Sequence, residues 1–402
     1  MHKDPLRHKR RLSLITILII LGLALSTCPS SVYAAPYTMT GQDTTTWTEM
    51  SQNYTNALFY DVSFFNETHG WVVGQSVEGS LGYGIVLHTT DAGQTWQTQL
   101  RNGTEQLYEM IDILNYDSIW ITAYSSLFHS NDGGMTWEEH PVVSGKSFMT
   151  FVKFIDENTG WTATNDVLYK TIDSGENWTA VPGWTFDDVP RDMHFLSPIE
   201  VWAIGFFGIY HSTDSAETWT QVYDYGGWAL SMQDDGEGWA VSDAHLMHTS
   251  NGTDWQIVPS PGHNPFNSLT LPYHTDILFL GENGWIVGRE IPIMHTPDGG
   301  GTWFAQSVPS NINRRMMALD FLNETYGWAV GYNGAILKTM KGTALGTRLW
   351  NGVTDPVFLA IVFSFIGVVF IISGLWYRRR KKGKSQKSVV HESAAIMMLI
   401  PT

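Results

Sequence analysis

Two short motifs alternate along this chain, and their count constrains the fold more than any other feature. The first recurs seven times, as HGWVVG at Trp71, SIWITA at Trp120, TGWTAT at Trp161, EVWAIG at Trp202, EGWAVS at Trp239, NGWIVG at Trp285 and YGWAVG at Trp328. Neighbouring copies stand 37 to 49 residues apart. The second is a polar turn leading into a tryptophan: TTDAGQTW ending at Trp96, HSNDGGMTW at Trp137, KTIDSGENW at Trp178, HSTDSAETW at Trp219, HTSNGTDW at Trp255 and HTPDGGGTW at Trp303.

Each unit reads as four short strands: an inner strand such as MALDFLN, the Gly-Trp strand, a strand such as AILKT, and a strand that begins Thr-Trp. Four strands in a repeat of roughly 40–50 residues mark a β-propeller blade. The seventh unit lacks its Asp turn and its Thr-Trp strand after GAILKTM, while TTTWTEM around Trp47 supplies a matching strand ahead of the first unit. The expected fold is therefore all-β, a seven-bladed propeller closed by its own N-terminal strand. Closure of this kind leaves no open edge and ties the first repeat to the last without a disulfide.

The acid of the polar turn, Asp91 in the first copy, is expected to hold the turn and not to do chemistry. A short carboxylate accepts backbone N–H bonds from the residues after it, and Gly93 supplies the positive φ that a tight turn needs. Asp132, Asp173, Asp214 and Asp298 repeat the role, Asn251 substitutes for it, and Ala216 replaces the glycine in the fourth copy. A catalytic acid would not recur so loosely.

Aligning the inner strands on their Gly-Trp partners puts Ser63, Asp112, Lys153, His194, Ser231, Leu278 and Asp320 at one position. Two residues earlier, on the same strand face, stand Asp61, Met110, Phe151, Asp192, Ala229, Asp276 and Ala318. Asp61, Asp112, Asp192, His194, Asp276 and Asp320 thus gather near the axis as a candidate binding cluster. It is suited to a hard cation or a basic side chain, or else to a solvated channel lining. His88, His129, His211, His248 and His295 each precede their own Asp turn, so five blades hold them apart and they cannot share one metal ion. No cofactor is expected.

The repeated turns are Asp boxes, the motif of bacterial neuraminidase repeats. The pairing GWxVG…GxILHTTDAGQTW resembles the seven-bladed propellers of the photosystem II assembly and stability factor family over residues 43 to 341. The resemblance implies assistance in assembling a membrane complex, at a surface with basic residues. Two alternatives are an Asp-box glycoside hydrolase and a sortilin-like receptor, the latter with a ten-bladed ring and cysteine-rich modules. A sialidase needs an arginine triad, a tyrosine nucleophile and an acid. Between the ends of the chain only Arg101, Arg191, Arg289, Arg314, Arg315 and Arg348 are available, and GREIP at Arg289 matches the Arg-Ile-Pro motif only loosely. The chain is expected to be a non-catalytic binder of a protein or a glycan.

Both ends carry targeting signals. Residues 1–34 read as a signal peptide, with five Lys/Arg ahead of an apolar run and the small-residue sequence SVYAA. Residues 356–376 hold no charge and are long enough to cross a bilayer, and RRRKK follows. The basic cluster places residues 377–402 in the cytoplasm and the 35–350 propeller outside, as in a single-pass type I protein of the cell membrane. Residues 35–377 hold 11 Lys/Arg against 37 Asp/Glu, a surface that repels phosphate backbones and argues against nucleic acid. The one cysteine, Cys28, lies within the signal peptide. Asn53, Asn66, Asn102, Asn177, Asn251 and Asn323 begin candidate N-glycosylation sequons.

Overall fold

The computed structural model describes residues 42–339 apart from short internal stretches, of which 261–272 is the longest. The signal peptide and the spanning helix expected at the two ends lie outside the described residues, as does Asn53. No helix among the described residues is long and apolar enough to cross a membrane.

Seven antiparallel sheets follow one another in chain order. In the first blade Ala57–Phe64 is innermost, followed outward by Gly70–Glu78, Leu81–Thr89 and Gln97–Thr104. The third blade, typical of the compact ones, runs Phe151–Phe154, Gly160–Ala163, Leu168–Thr171 and Thr179–Ala180. The seventh is built from Met316–Phe321, Gly327–Gly331 and Ile336–Thr339, and its outer strand is the N-terminal segment Thr48–Glu49, paired through Thr48 with Lys338. Seven sheets close the ring as the repeat count requires, and a ten-bladed sortilin-like ring is excluded.

The N-terminal segment does more than complete the seventh blade. Just before Trp47 it adds Gln42–Thr46 as a fifth, parallel strand beside Phe304–Ser307 of the sixth. Trp47 is buried at the crossing, its backbone N–H on Ser307 O and its indole N–H on Gln306 Oε1 at 2.8 Å. One strand thus fastens two neighbouring blades.

Between blades the core is aromatic. Strand register sets the second-strand tryptophans opposite a histidine of their own blade, as Trp71 with His88 and Trp120 with His129. Their rings stack at 4.3 and 4.1 Å. Lys170 and Lys338 take the histidine position in blades three and seven, lying over Trp161 and Trp328. The phenyl ring that ends an inner strand stacks on the tryptophan of the preceding blade: Phe154 on Trp120 at 4.4 Å, Phe321 on Trp285 at 3.9 Å, Phe64 on Trp328 at 3.5 Å. The five histidines are therefore packing partners of five separate indoles. Burial pushes His88 and His129 down to about 4, so both are neutral in the folded protein.

Candidate functional site

The Asp boxes form one face of the ring. In the second blade Asp132 Oδ1 accepts the backbone N–H of Thr136 at 2.8 Å, and Oδ2 accepts the Thr136 hydroxyl at 2.6 Å. The Ser130 hydroxyl donates to Asp132 and itself accepts the N–H of Gly134. Asp91, Asp214 and Asp298 repeat the arrangement, and Asp173 does so with Asn177 in the threonine position. Asn251 accepts from Thr253 and Asp254 instead. The hydrogen bonds from Thr136 hold the Asp132 carboxyl below the usual range. Gly93 lies at φ 87°, as the turn requires, while Ala216 adopts φ 61° without glycine. The serine or threonine two residues before each acid was legible in the sequence as a partner but not recognised there.

Asp-box turns dock on the loops that join inner and second strands, through bonds such as Ala92 N–H to Thr68 O and Gly133 N–H to Asp117 O. Asn66 and Asn323 sit in those loops, where their side-chain oxygens accept backbone N–H bonds from Thr68 and Thr325. The sequons at Asn66, Asn177, Asn251 and Asn323 thus coincide with turn-holding residues, all on this face. The side chain of Asn102 lies outside the described residues.

The axial alignment is matched residue by residue. Register pairs Ser63, Asp112, Lys153, His194, Ser231, Leu278 and Asp320 each with the tryptophan of its own second strand. The carboxylates, however, spend their oxygens on neighbouring backbones. Asp61 Oδ2 accepts Ile111 N–H of the second blade at 2.9 Å, and Asp112 Oδ2 accepts Phe154 N–H of the third at 2.7 Å. Asp192 accepts Leu230 N–H, Asp276 accepts Leu319 N–H, and Asp320 accepts Phe64 N–H. Ser231 does the same for Phe279. Between blades three and four the link is the Thr150 hydroxyl, which donates to Pro190 O at 2.7 Å. All seven blade junctions are clamped in this way near the axis.

The basic side chain suited to this cluster comes from the chain itself. Lys153 Nζ lies 2.7 Å from Asp112 Oδ1, which is almost wholly buried, although the lysine side chain is still 44% exposed along the channel. Asp112 raises Lys153 above its ordinary value, with Asp192 and Asp61 adding to the effect. Burial pushes Asp61 up to about 7 and Asp320 up to about 6, against the lowering effect of their backbone bonds. Asp192 and Asp276 are raised for the same reason. His194 is lowered to about 4 by burial and by Lys153. Among the described residues no group of three or more His, Cys, Asp or Glu side chains is placed to hold a metal ion.

A second ring, which sequence alignment passed over by one residue, lies at the mouth opposite the Asp boxes. It consists of the residues immediately ahead of the axial ones: Tyr60, Glu109, Thr150, Arg191, Trp228, Thr275 and Met317. In three blades a register irregularity falls there, at Tyr60, Thr275 and Met317, and re-aims the strand. Burial and then Glu109 push the Tyr60 phenol up to about 12, and burial raises Glu109 while Arg191 offsets it. Arg289 and Arg315 join the same mouth. Their backbones bridge each other, and both guanidiniums lie over Tyr332, at 5.7 and 5.6 Å. Three of the four described arginines between residues 35 and 377 thus converge on one opening of an otherwise acidic domain.

A family profile described as photosynthesis system II assembly factor YCF48 matches residues 39–186 and 259–358, more than half of the chain. The chain belongs to this family. Among curated YCF48 proteins, the photosystem II assembly protein Ycf48 of Synechococcus sp. strain JA-3-3Ab is 29% identical over 108 residues, 26% of this chain and 31% of that protein. The photosystem II assembly lipoprotein Ycf48 of Synechococcus sp. strain CC9902 is 25% identical over 146 residues, 34% of this chain and 44% of that protein. The alignments thus span less than half the length of these relatives. Among solved structures, YCF48 bound to a D1 peptide superposes with a TM-score of 0.58 at 19% identity, covering 77% of this chain and all of that one. The GH74 xyloglucanase of Xanthomonas campestris gives 0.53 at 12% identity, over 75% of this chain and 55% of that enzyme, a likeness of fold alone.

Proposed function

We propose that this protein is an exported, membrane-tethered and non-catalytic scaffold that holds a protein segment at the channel mouth and assists assembly of a membrane complex. The observation that carries the reading is the convergence of Arg191, Arg289 and Arg315 with Tyr60 and Tyr332 on that opening. Rigid rings with functional loops at one mouth suit recognition. Family membership supports assembly assistance, and a YCF48 structure holds a D1 peptide. A glycoside hydrolase has less support, because a general acid and a nucleophile need free carboxylates, whereas the axial ones accept backbone N–H bonds.

The test uses the full-length chain in its native membranes, with a photoreactive residue in place of Tyr332 or, as control, of Glu138 on an outer strand. A discrete protein adduct is expected from the Tyr332 position and not from Glu138, and Arg289→Ala with Arg315→Ala should abolish it. No adduct at the mouth, or equal adducts at both positions, would overturn the reading.

A further inference from the structure

Beside the mouth, on blades four and five, the ring exposes aromatic side chains on a backbone it has gone to some length to fix. Phe206 and Phe207, at the tip of the hairpin between the second and third strands of blade four, are 48% and 66% exposed. Their backbone N–H groups both donate to the buried carboxylate of Asp188, at 2.8 and 2.9 Å, and the Tyr210 hydroxyl donates to the same group at 2.6 Å. Phe207 O accepts from Gln221, and Gly227 N–H donates to Gly205 O. Any Cβ at Gly226 would strike Gly205 O and the Phe206 backbone, so the connection to blade five must pass this close. Exposed phenyl rings cost solubility and do nothing for the core, so a tip held this firmly to present them points to a contact surface.

The chemistry around the tip selects the partner. The Arg191 guanidinium lies 3.7 Å from the Phe206 ring centroid and 4.0 Å from that of Trp228. Glu109, Asp188 and Asp243 balance its charge. Trp228 donates its indole N–H to Asp243 at 2.7 Å. Three carboxylates beside it are exposed: Asp243, which Trp228 contacts, Asp187, next to the Asp188 that holds the tip, and Asp224, next to Tyr225, whose hydroxyl meets His245 at 2.7 Å. The patch is therefore aromatic at its centre, where the one guanidinium is already offset by the carboxylates around it, and negative at its rim.

We infer that this patch docks a protein segment carrying an apolar side chain flanked by lysine or arginine. The apolar group seats against Phe206 and Phe207 while the basic groups meet Asp224 and Asp243, an arrangement of buried centre and charged rim typical of protein contacts. This rests on the protein-binding reading above and extends it to a second contact and a partner class.

The experiment uses the purified full-length chain and fluorescein-labelled synthetic peptides, in which a Leu-Phe pair is flanked by lysines, by glutamates or by serines. The lysine peptide should bind, more weakly at higher salt, and the glutamate peptide should not. Phe207→Ser, whose ring is mostly in solvent, should keep the melting temperature and weaken binding at least tenfold. Asp224→Asn with Asp243→Asn should weaken it several-fold, and Glu138→Gln, on an outer strand of the second blade, should leave it unchanged. Equal binding by Phe207→Ser, or equal binding of the glutamate peptide, would overturn the inference. So would retention of neutral phosphatidylcholine vesicles, lost in Phe207→Ser, in place of peptide binding. If Phe207→Ser leaves peptide binding intact while the mouth variant loses its native adduct, the scaffold reading stands and this inference falls.

Discussion

The carboxylate of Asp320, in the seventh blade, accepts the backbone N–H of Phe64 in the first at 2.6 Å, so the ring is closed at its axis by a side chain as well as at its rim by a strand. The same inner strands that carry the axial acids are thereby locked to their neighbours. What looks in the sequence like a ring of repelling charges is a ring of hydrogen-bond acceptors.

Asp320→Ala should therefore destabilise the protein by about 1–3 kcal/mol, because the Phe64 N–H is left without its acceptor. Asp320→Asn keeps an acceptor oxygen and should cost less. Thermal melting of the two variants decides it: an unchanged melting temperature for the alanine variant would remove the clamp role.

The stability supplied by the buried axial acids should fall as pH rises from 6.5 to 8. Asp61 and Asp320, raised to about 7 and about 6, bind more protons in the folded than in the unfolded state, so their contribution is lost as pH rises through those values. His88, His129, His194 and His274, all lowered to about 4 by burial, act in the opposite sense, because their unfolded imidazoles are still half protonated at about pH 6.5 and go on losing protons above it. A comparison that keeps the histidines constant isolates the carboxylate, and there Asp61 accounts for a loss of up to about 1 kcal/mol. Urea unfolding at the two pH values should show the wild type losing about that much stability relative to Asp61→Asn as pH rises; a difference between the two that is constant or grows toward pH 8 would contradict it.

Lys153 and Asp112 should be strongly coupled. Lys153→Met leaves a buried carboxylate without its cation, and Asp112→Asn leaves the lysine beside a neutral amide that still accepts the Phe154 N–H. The double variant should melt well above the Lys153→Met single variant. Additive losses in this double-mutant cycle would mean that the pair acts as two independent groups.

At the opposite face, Asp132→Ala should cost about 1 kcal/mol, comparable to the loss of a capping side chain, and should leave the mouth adduct intact. Ser130→Ala should cost a similar amount by freeing the Gly134 N–H. Loss of the adduct at an unchanged melting temperature would instead make the Asp box part of the binding surface.

The fold was legible because it rests on repetition. Each repeat presents its tryptophan and its turn acid at nearly fixed spacing, and four strands per repeat admit few architectures. The missing outer strand of the seventh unit and the surplus strand at Trp47 identified the closure. The fifth strand on the sixth blade was not legible, since Gln42–Thr46 bears no copy of either motif and pairs with Phe304–Ser307, far along the chain.

The sequence by itself determined which residues share a position around the ring, because a strand period of two and a constant partner tryptophan fix register locally. Only the tertiary structure decided what those positions do. Whether Asp61 faces a cation, water or the Ile111 N–H depends on how the second blade packs against the first, and whether Arg191 and Arg289 share an opening depends on how seven blades close. Spacing along the chain encodes the blade; distances between residues of different blades exist only once the ring has closed.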